Sequence, residues 1–139
     1  MGLFSKLGGN KEISLTPQGG LLLAAITMTA IDGDIDDDEI AIIQRLDGNG
    51  RTNDWDSAVK VWKMKPLEEC ITLASNSMDS EQCLVAIANL IDIAMADGIL
   101  AGAEQDLLEA YVNAFGVNES DVEKIVDVIA IKNNKDIFK

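Results

Sequence analysis

The chain has 139 residues, 47% of them hydrophobic and only 4% aromatic, with a formal net charge of −13 and no histidine. That length fits one domain with a sizeable core, and the shortage of aromatics makes the core aliphatic, which suits packed helices better than a sandwich or barrel. So acidic a surface repels phosphate backbones and excludes a nucleic-acid partner, while the missing imidazoles exclude Ser-His-Asp and Cys-His nucleophiles, an imidazole base and His-ligated zinc.

Residues 1–12 read as a flexible segment, and 13–139 as a single helical domain. Thr16 before Pro17 gives an N-cap and first position, opening a helix to about Ile31 that is apolar almost all round from Leu21 to Ala30. The Gly19-Gly20 pair is expected to weaken its first turn. Asp32-Gly33 stops it, and a second helix starts near Asp36, where Asp36-x-x-Glu39 has capping-box spacing, with an apolar stripe of Ile35, Ile42, Ile43 and Leu46. Gly48 ends that helix, and Asp47-Gly48-Asn49 reads as a solvated acidic turn.

Asp54 is placed as the cap of a short third helix carrying Trp55, Val59 and Trp62, and Pro66 opens a fourth with Leu67, Cys70, Ile71 and Ala74 on one face. Asp79-Ser80 caps a long fifth helix with Leu84, Ile87, Ala88, Ile91, Ala94 and Met95 at helical spacing, stopping at Asp97-Gly98. A sixth carries Glu104, Leu107, Leu108 and Tyr111 and closes at Gly116. A seventh, capped by Asn118, has the stripe Val122, Ile125, Val126 and Ile129, and a tail follows from about Asn133. No segment alternates long enough for a strand. The expected fold is all-α, with about seven helices.

No run of 18 apolar residues spans a membrane, and the start is too short and polar for a signal peptide, so a cytoplasmic location is expected. Cys70 and Cys83 form no C-x-x-C and read as reduced residues near apolar faces.

A shift of 65 residues superposes the two Asp-Gly stops. Ile26 falls on Ile91, Asp32 on Asp97, Gly33 on Gly98, Ile35 on Leu100, Glu39 on Glu104, Ile42-Ile43 on Leu107-Leu108 and Leu46 on Tyr111. A duplicated helix–(Asp-Gly)–helix hairpin packed about a pseudo-two-fold axis follows as the expected arrangement, with the loops near one another.

Ordinary hairpin chemistry accounts for much of this unit: left-handed glycines end helices, and first-turn glutamates suit the helix dipole. It does not account for Asp32 and Asp97, which follow helix C-termini, where the dipole disfavours an anion. Nor does it account for Glu104, since Ala101 stands where a polar cap would be. An Asp and a Glu seven residues apart across a tight turn can aim two carboxylates into one pocket, and a divalent cation relieves their repulsion. The candidate ligands are Asp32, Asp34 and Glu39 in the first loop and Asp97 and Glu104 in the second. An EF-hand is excluded. Its leading ligand positions would fall on Met28 and Ala30, and on Ile93 and Met95 in the second copy, and none of these can ligate through its side chain.

The stretches Thr29-Ala30-Ile31-Asp32-Gly33-Asp34-Ile35-Asp36-Asp37-Asp38-Glu39 and Ala94-Met95-Ala96-Asp97-Gly98-Ile99-Leu100-Ala101-Gly102-Ala103-Glu104 resemble the hairpins of the tellurite-resistance protein TerB family, over roughly residues 16 to 130. The resemblance implies an all-helical, non-enzymatic module of bacterial tellurite and stress response, acting with partner proteins at the inner membrane surface. It also implies Asp32, Gly33, Glu39, Asp97, Gly98 and Glu104 as the shared site. The chain departs from the family at Ile99, Ala101 and Gly102, where polar residues are usual, which speaks against a symmetrical two-ion site.

The leading expectation is therefore a module that holds Ca²⁺, Mg²⁺, Mn²⁺ or Zn²⁺ weakly and docks other proteins. A metal-free scaffold whose acidic loops meet basic surfaces comes second. An enzyme comes third, since no nucleophile, phosphate-cradling loop or cofactor motif accompanies the carboxylates. Tellurite, an oxyanion, should avoid so negative a surface.

Overall fold

A computed structural model describes residues 14–31, 33, 35, 37–47, 53–96 and 102–138. The described residues form seven α-helices and no strand, so the all-α expectation is borne out. The helices are α1 (Pro17–Ala30), α2 (Asp37–Leu46), α3 (Asn53–Met64), α4 (Leu67–Asn76), α5 (Ser80–Ala94), α6 (Ala103–Phe115) and α7 (Glu119–Asn133), with a 3-10 turn at Asp136–Phe138.

The centre is α1, which packs against α2, α3, α4, α5 and α6. It starts where the sequence dictates: the Thr16 hydroxyl accepts from the Gly19 amide at 3.0 Å, with Pro17 in the first helical position. Ten of its fourteen residues are buried and none is charged. Its threonines are tolerated inside because each hydroxyl donates to its own helix, Thr27 to the Ala24 carbonyl at 2.8 Å and Thr29 to the Ala25 carbonyl at 2.9 Å.

Gly20 has a role that propensity does not reveal. A Cβ there would lie 1.9 Å from Ser77 Oγ and 3.2 Å from the Ala74 carbonyl oxygen, so the missing side chain is what lets the end of α4 cross against α1. The glycine weakens the helix locally and permits close approach globally.

Several faces differ from their expected ones. On α2 only Ile43 is buried, and Ile42 is 45% exposed. On α3 the innermost residues are Ala58 and Val61, with Trp55, Val59 and Trp62 packed half-buried around them. Asp54 lies inside the first turn of α3 rather than capping it, and accepts from the Thr16 hydroxyl at 2.6 Å, tying α3 to the start of α1. Leu67 and Leu84 are exposed, whereas Cys70, Ala74, Cys83, Ala86, Ile87, Leu90 and Ile91 form the inner faces of α4 and α5. In each case the helical period is right and the face is rotated toward the neighbour that is actually present.

The ends follow local rules. Asp79 caps α5 in a full capping box with Gln82, at 2.8 and 2.9 Å. The N-cap of α6 is Gly102, at φ 61°, one residue after the expected Ala101, and Gly116 closes that helix at φ 68°. Asn118 caps α7 by position, without a side-chain bond.

Helix directions can be read from these contacts. Pro17, Gln18 and Leu21 share a groove with Gln82, Val85 and Ala86, so α1 and α5 start side by side. Gly20 meets Ala74 and Ser77, while Ala30 and Ile31 share a pocket with Leu67 and Cys70, so α4 runs against α1. Ser75 Oγ donates to the Ala114 carbonyl at 2.8 Å, bringing the last turn of α6 to that of α4. The C-termini of α1 and α5 and the start of α6 therefore lie at one end of the bundle.

Candidate functional site

That end of the bundle holds the helix ends that flank the two Asp-Gly stretches. Glu39 and Glu104 are placed in the first turns of α2 and α6, both half-buried. Asp32, Asp34 and Asp97, with Gly98, lie outside the described residues, as do Asp36 and Gly48 with their expected capping roles. Among the described residues no group of three or more Asp, Glu or Cys side chains is close enough to hold a metal ion. Gly33 is described, at φ 112°, in the positive region that its turn requires.

The α5 end of the second loop is held by α7. Asn133 Nδ2 donates to the Met95 carbonyl at 3.2 Å, and Lys132 pairs with Asp92 at 3.1 Å, both on the last turns of their helices. The α1 end of the first loop stands over the core, where a buried polar pair sits. Tyr111 is fully buried and bonded to Thr27 Oγ1, whose proton goes to the Ala24 carbonyl, so the phenol is the donor. Burial pushes the Tyr111 pKa far above the usual tyrosine value.

One acidic residue has a different character from its sequence reading. Asp47, assigned to a solvated turn, is 2% exposed, and Gln18 Nε2 lies 3.5 Å from its Oδ1 while also donating to the Leu46 carbonyl. The signal was present, because Asp47 follows the buried Ile43 by four residues and so shares its face. Cys70 and Cys83 are buried free thiols, as expected. Burial raises both pKa values, and the neighbouring Glu69 and Asp79 carboxylates add to the effect. The pocket of about 200 Å³ where Cys70 meets Trp62 and Ile31 is thus lined by a thiol held protonated, the reverse of an activated nucleophile.

A comparison with known families bears on the second half of this arrangement. The family model for tellurite resistance protein TerB matches residues 65–127, bearing out the resemblance over α4, α5, α6 and most of α7. The match takes in the second loop with Asp97 and Glu104. The first hairpin lies outside it. No curated protein and no solved structure matches the chain. Among the described residues no helix is long and apolar enough to cross a membrane.

Proposed function

We propose that the chain is a non-enzymatic, cytoplasmic TerB-type stress-response module that binds a divalent cation through its two Asp-Gly…Glu loops and docks partner proteins. The observation that carries this reading is the direction of the helices. Because α1 and α5 start together, and α6 begins at the end where α1 stops, the helix ends that flank two acidic stretches 65 residues apart in sequence lie at the same end of the bundle. In a chain of charge −13, carboxylates brought together there would repel each other, and a cation with oxygen ligands would remove that repulsion. Asp32, Asp34, Glu39, Asp97 and Glu104 would supply those oxygens. The TerB match over residues 65–127 supports the module class.

The test is a melting-temperature and calorimetric titration with Ca²⁺, Mg²⁺, Mn²⁺ and Zn²⁺. At ten times Kd a bound cation stabilises the folded state by about 1.4 kcal/mol, a readily measured shift. Glu39→Gln combined with Glu104→Gln should raise stability in EDTA, by relieving repulsion, and abolish the cation-dependent shift. If millimolar amounts of all four cations leave the wild-type melting temperature unmoved, the cation reading fails. The acidic loops are then docking surfaces for basic partners.

A further inference from the structure

Two helices of ten residues lie on the central helix, and they are held very differently. Helix α4 buries Cys70 and Ala74 and packs against α1, α3 and α6. Helix α2 buries Ile43, and among the described residues its substantial neighbour is α1 alone. Ile35 and Leu46 rest half-buried against the core beside it, while Ile42 is 45% exposed. Its far end is tied to α1 by Gln18, which donates to the Leu46 carbonyl and lies 3.5 Å from the Asp47 carboxylate.

Below about a dozen residues a helix is marginal in water, so α2 keeps its shape by resting on α1. Its own sequence adds little support, since Ile40, Ile42 and Ile43 are β-branched and lose rotamer freedom in a helix. Proteins open in cooperative units, and the units with few buried apolar contacts open most easily. Helix α7 also has no fully buried residue, yet it lays Val122, Ile125, Val126 and Ile129 against the core and is tied to α5 by Asn133 and Lys132. Helix α2 has one enclosed side chain and one polar tie. Beneath it lies α1, in which ten of fourteen residues are buried and none is charged.

We propose that α2 is a lid that opens as a unit while the rest of the bundle stays folded, uncovering the side of α1 beneath it. Closing restores the enclosure of Ile43 and the bonds of Gln18. Glu39 stands in the first turn of α2 and moves with it, so an open lid takes one carboxylate away from the end of the bundle where Glu104 lies. That consequence for the candidate site rests on the cation reading above, and the opening itself does not.

The test is amide hydrogen exchange of the full chain, read residue by residue by NMR in EDTA, so that no cation bears on the outcome. Relative to their unstructured rates, the Ile43, Gln44 and Arg45 amides of α2 should exchange about a hundredfold or more faster than the Leu23 and Ile26 amides of α1. Urea below the unfolding transition should speed the α1 amides and leave those of α2 within about twofold, since opening α2 exposes little surface. Ile91→Val weakens the core and leaves the contact between α1 and α2 intact. It should speed the α1 amides roughly three- to tenfold and those of α2 by less than about twofold. Ile43→Ala should speed the α2 amides about tenfold or more. Equal protection of the two helices, parallel acceleration of both by Ile91→Val, or no effect of Ile43→Ala on α2 overturns the proposal. So does an α2 without any protection, because there is then no closed state to open. A melting temperature unmoved by divalent cations would end the cation reading alone, and the exchange pattern in EDTA would still decide for or against the lid.

Discussion

The first and second hairpins carry the same sequence pattern in register and have different fates in the fold. In the first, α1 is almost wholly internal and its partner α2 is peripheral, with Ile43 its one buried residue. In the second, the burial is shared: α5 buries six residues on one side and α6 buries Leu107, Leu108, Tyr111 and Phe115. Aligned positions diverge accordingly. Ile42 is 45% exposed where Leu107 is 4%, and the half-buried Leu46 corresponds to the fully buried Tyr111. The pattern specifies which residues can be inside, and the number of neighbours around each helix decides which of them are. Helix α1 is surrounded by five others, so its whole circumference is used, while α2 has α1 on one side and water on the other.

That contrast can be broken most sharply in the core. Ile26→Ala and Ile91→Ala, aligned positions on the two inner helices, should each cost roughly 2–4 kcal/mol in urea denaturation, because both are fully enclosed. On the outer helices the aligned pair should part company: Leu107→Ala costs about 2–4 kcal/mol and Ile42→Ala less than about 1. Equal losses at Ile42 and Leu107 would mean that the two hairpins are packed alike after all.

A second measurement sharpens the reading of α1 as the crowded centre. On an open helix surface Gly20→Ala would stabilise by up to about 1 kcal/mol. Here the added Cβ meets Ser77 Oγ and the Ala74 carbonyl, so a net loss of about 1–2 kcal/mol is expected. Adding Ser77→Ala removes the nearer atom, and the double variant should recover most of that loss. A stabilised Gly20→Ala single variant would show that α4 stands further from α1 than described.

The smallest effect concerns the polar link between the hairpins. Tyr111→Phe removes one hydrogen bond to Thr27, whose own proton stays on the Ala24 carbonyl, so about 0.5–1.5 kcal/mol should be lost at neutral pH. The pKa of Tyr111 is raised on folding, so the folded state holds its proton more tightly than the unfolded one. Its stabilisation is fully present below the unfolded value of about 10 and declines as pH rises above it. Chemical denaturation at pH 9 and pH 11 should show a steeper alkaline loss in the wild type than in Tyr111→Phe. Parallel losses would place the titrating group elsewhere.

Helix starts, stops and periods were determined by the sequence alone, because they rest on contacts within a few residues. Thr16-Pro17, Asp79 with Gln82, and Gly116 each act through bonds or dihedrals of a single turn, and each sits where the sequence put it. The Asp-Gly…Glu pattern was legible for the same reason, since its spacing and its 65-residue recurrence are properties of the chain. Tertiary structure decided everything that depends on a residue far away in sequence. Gly20 read as a weak first turn until Ser77, 57 positions on, stood against it. Asp47 read as solvated until the chain folded its face inward beside Gln18. Ile42 and Leu84 belong to valid stripes whose outer edges found nothing to cover them. That the helix ends flanking both acidic stretches lie at one end is likewise a product of packing, because the relative direction of α1 and α5 is set by the helices between them and by no local signal in either.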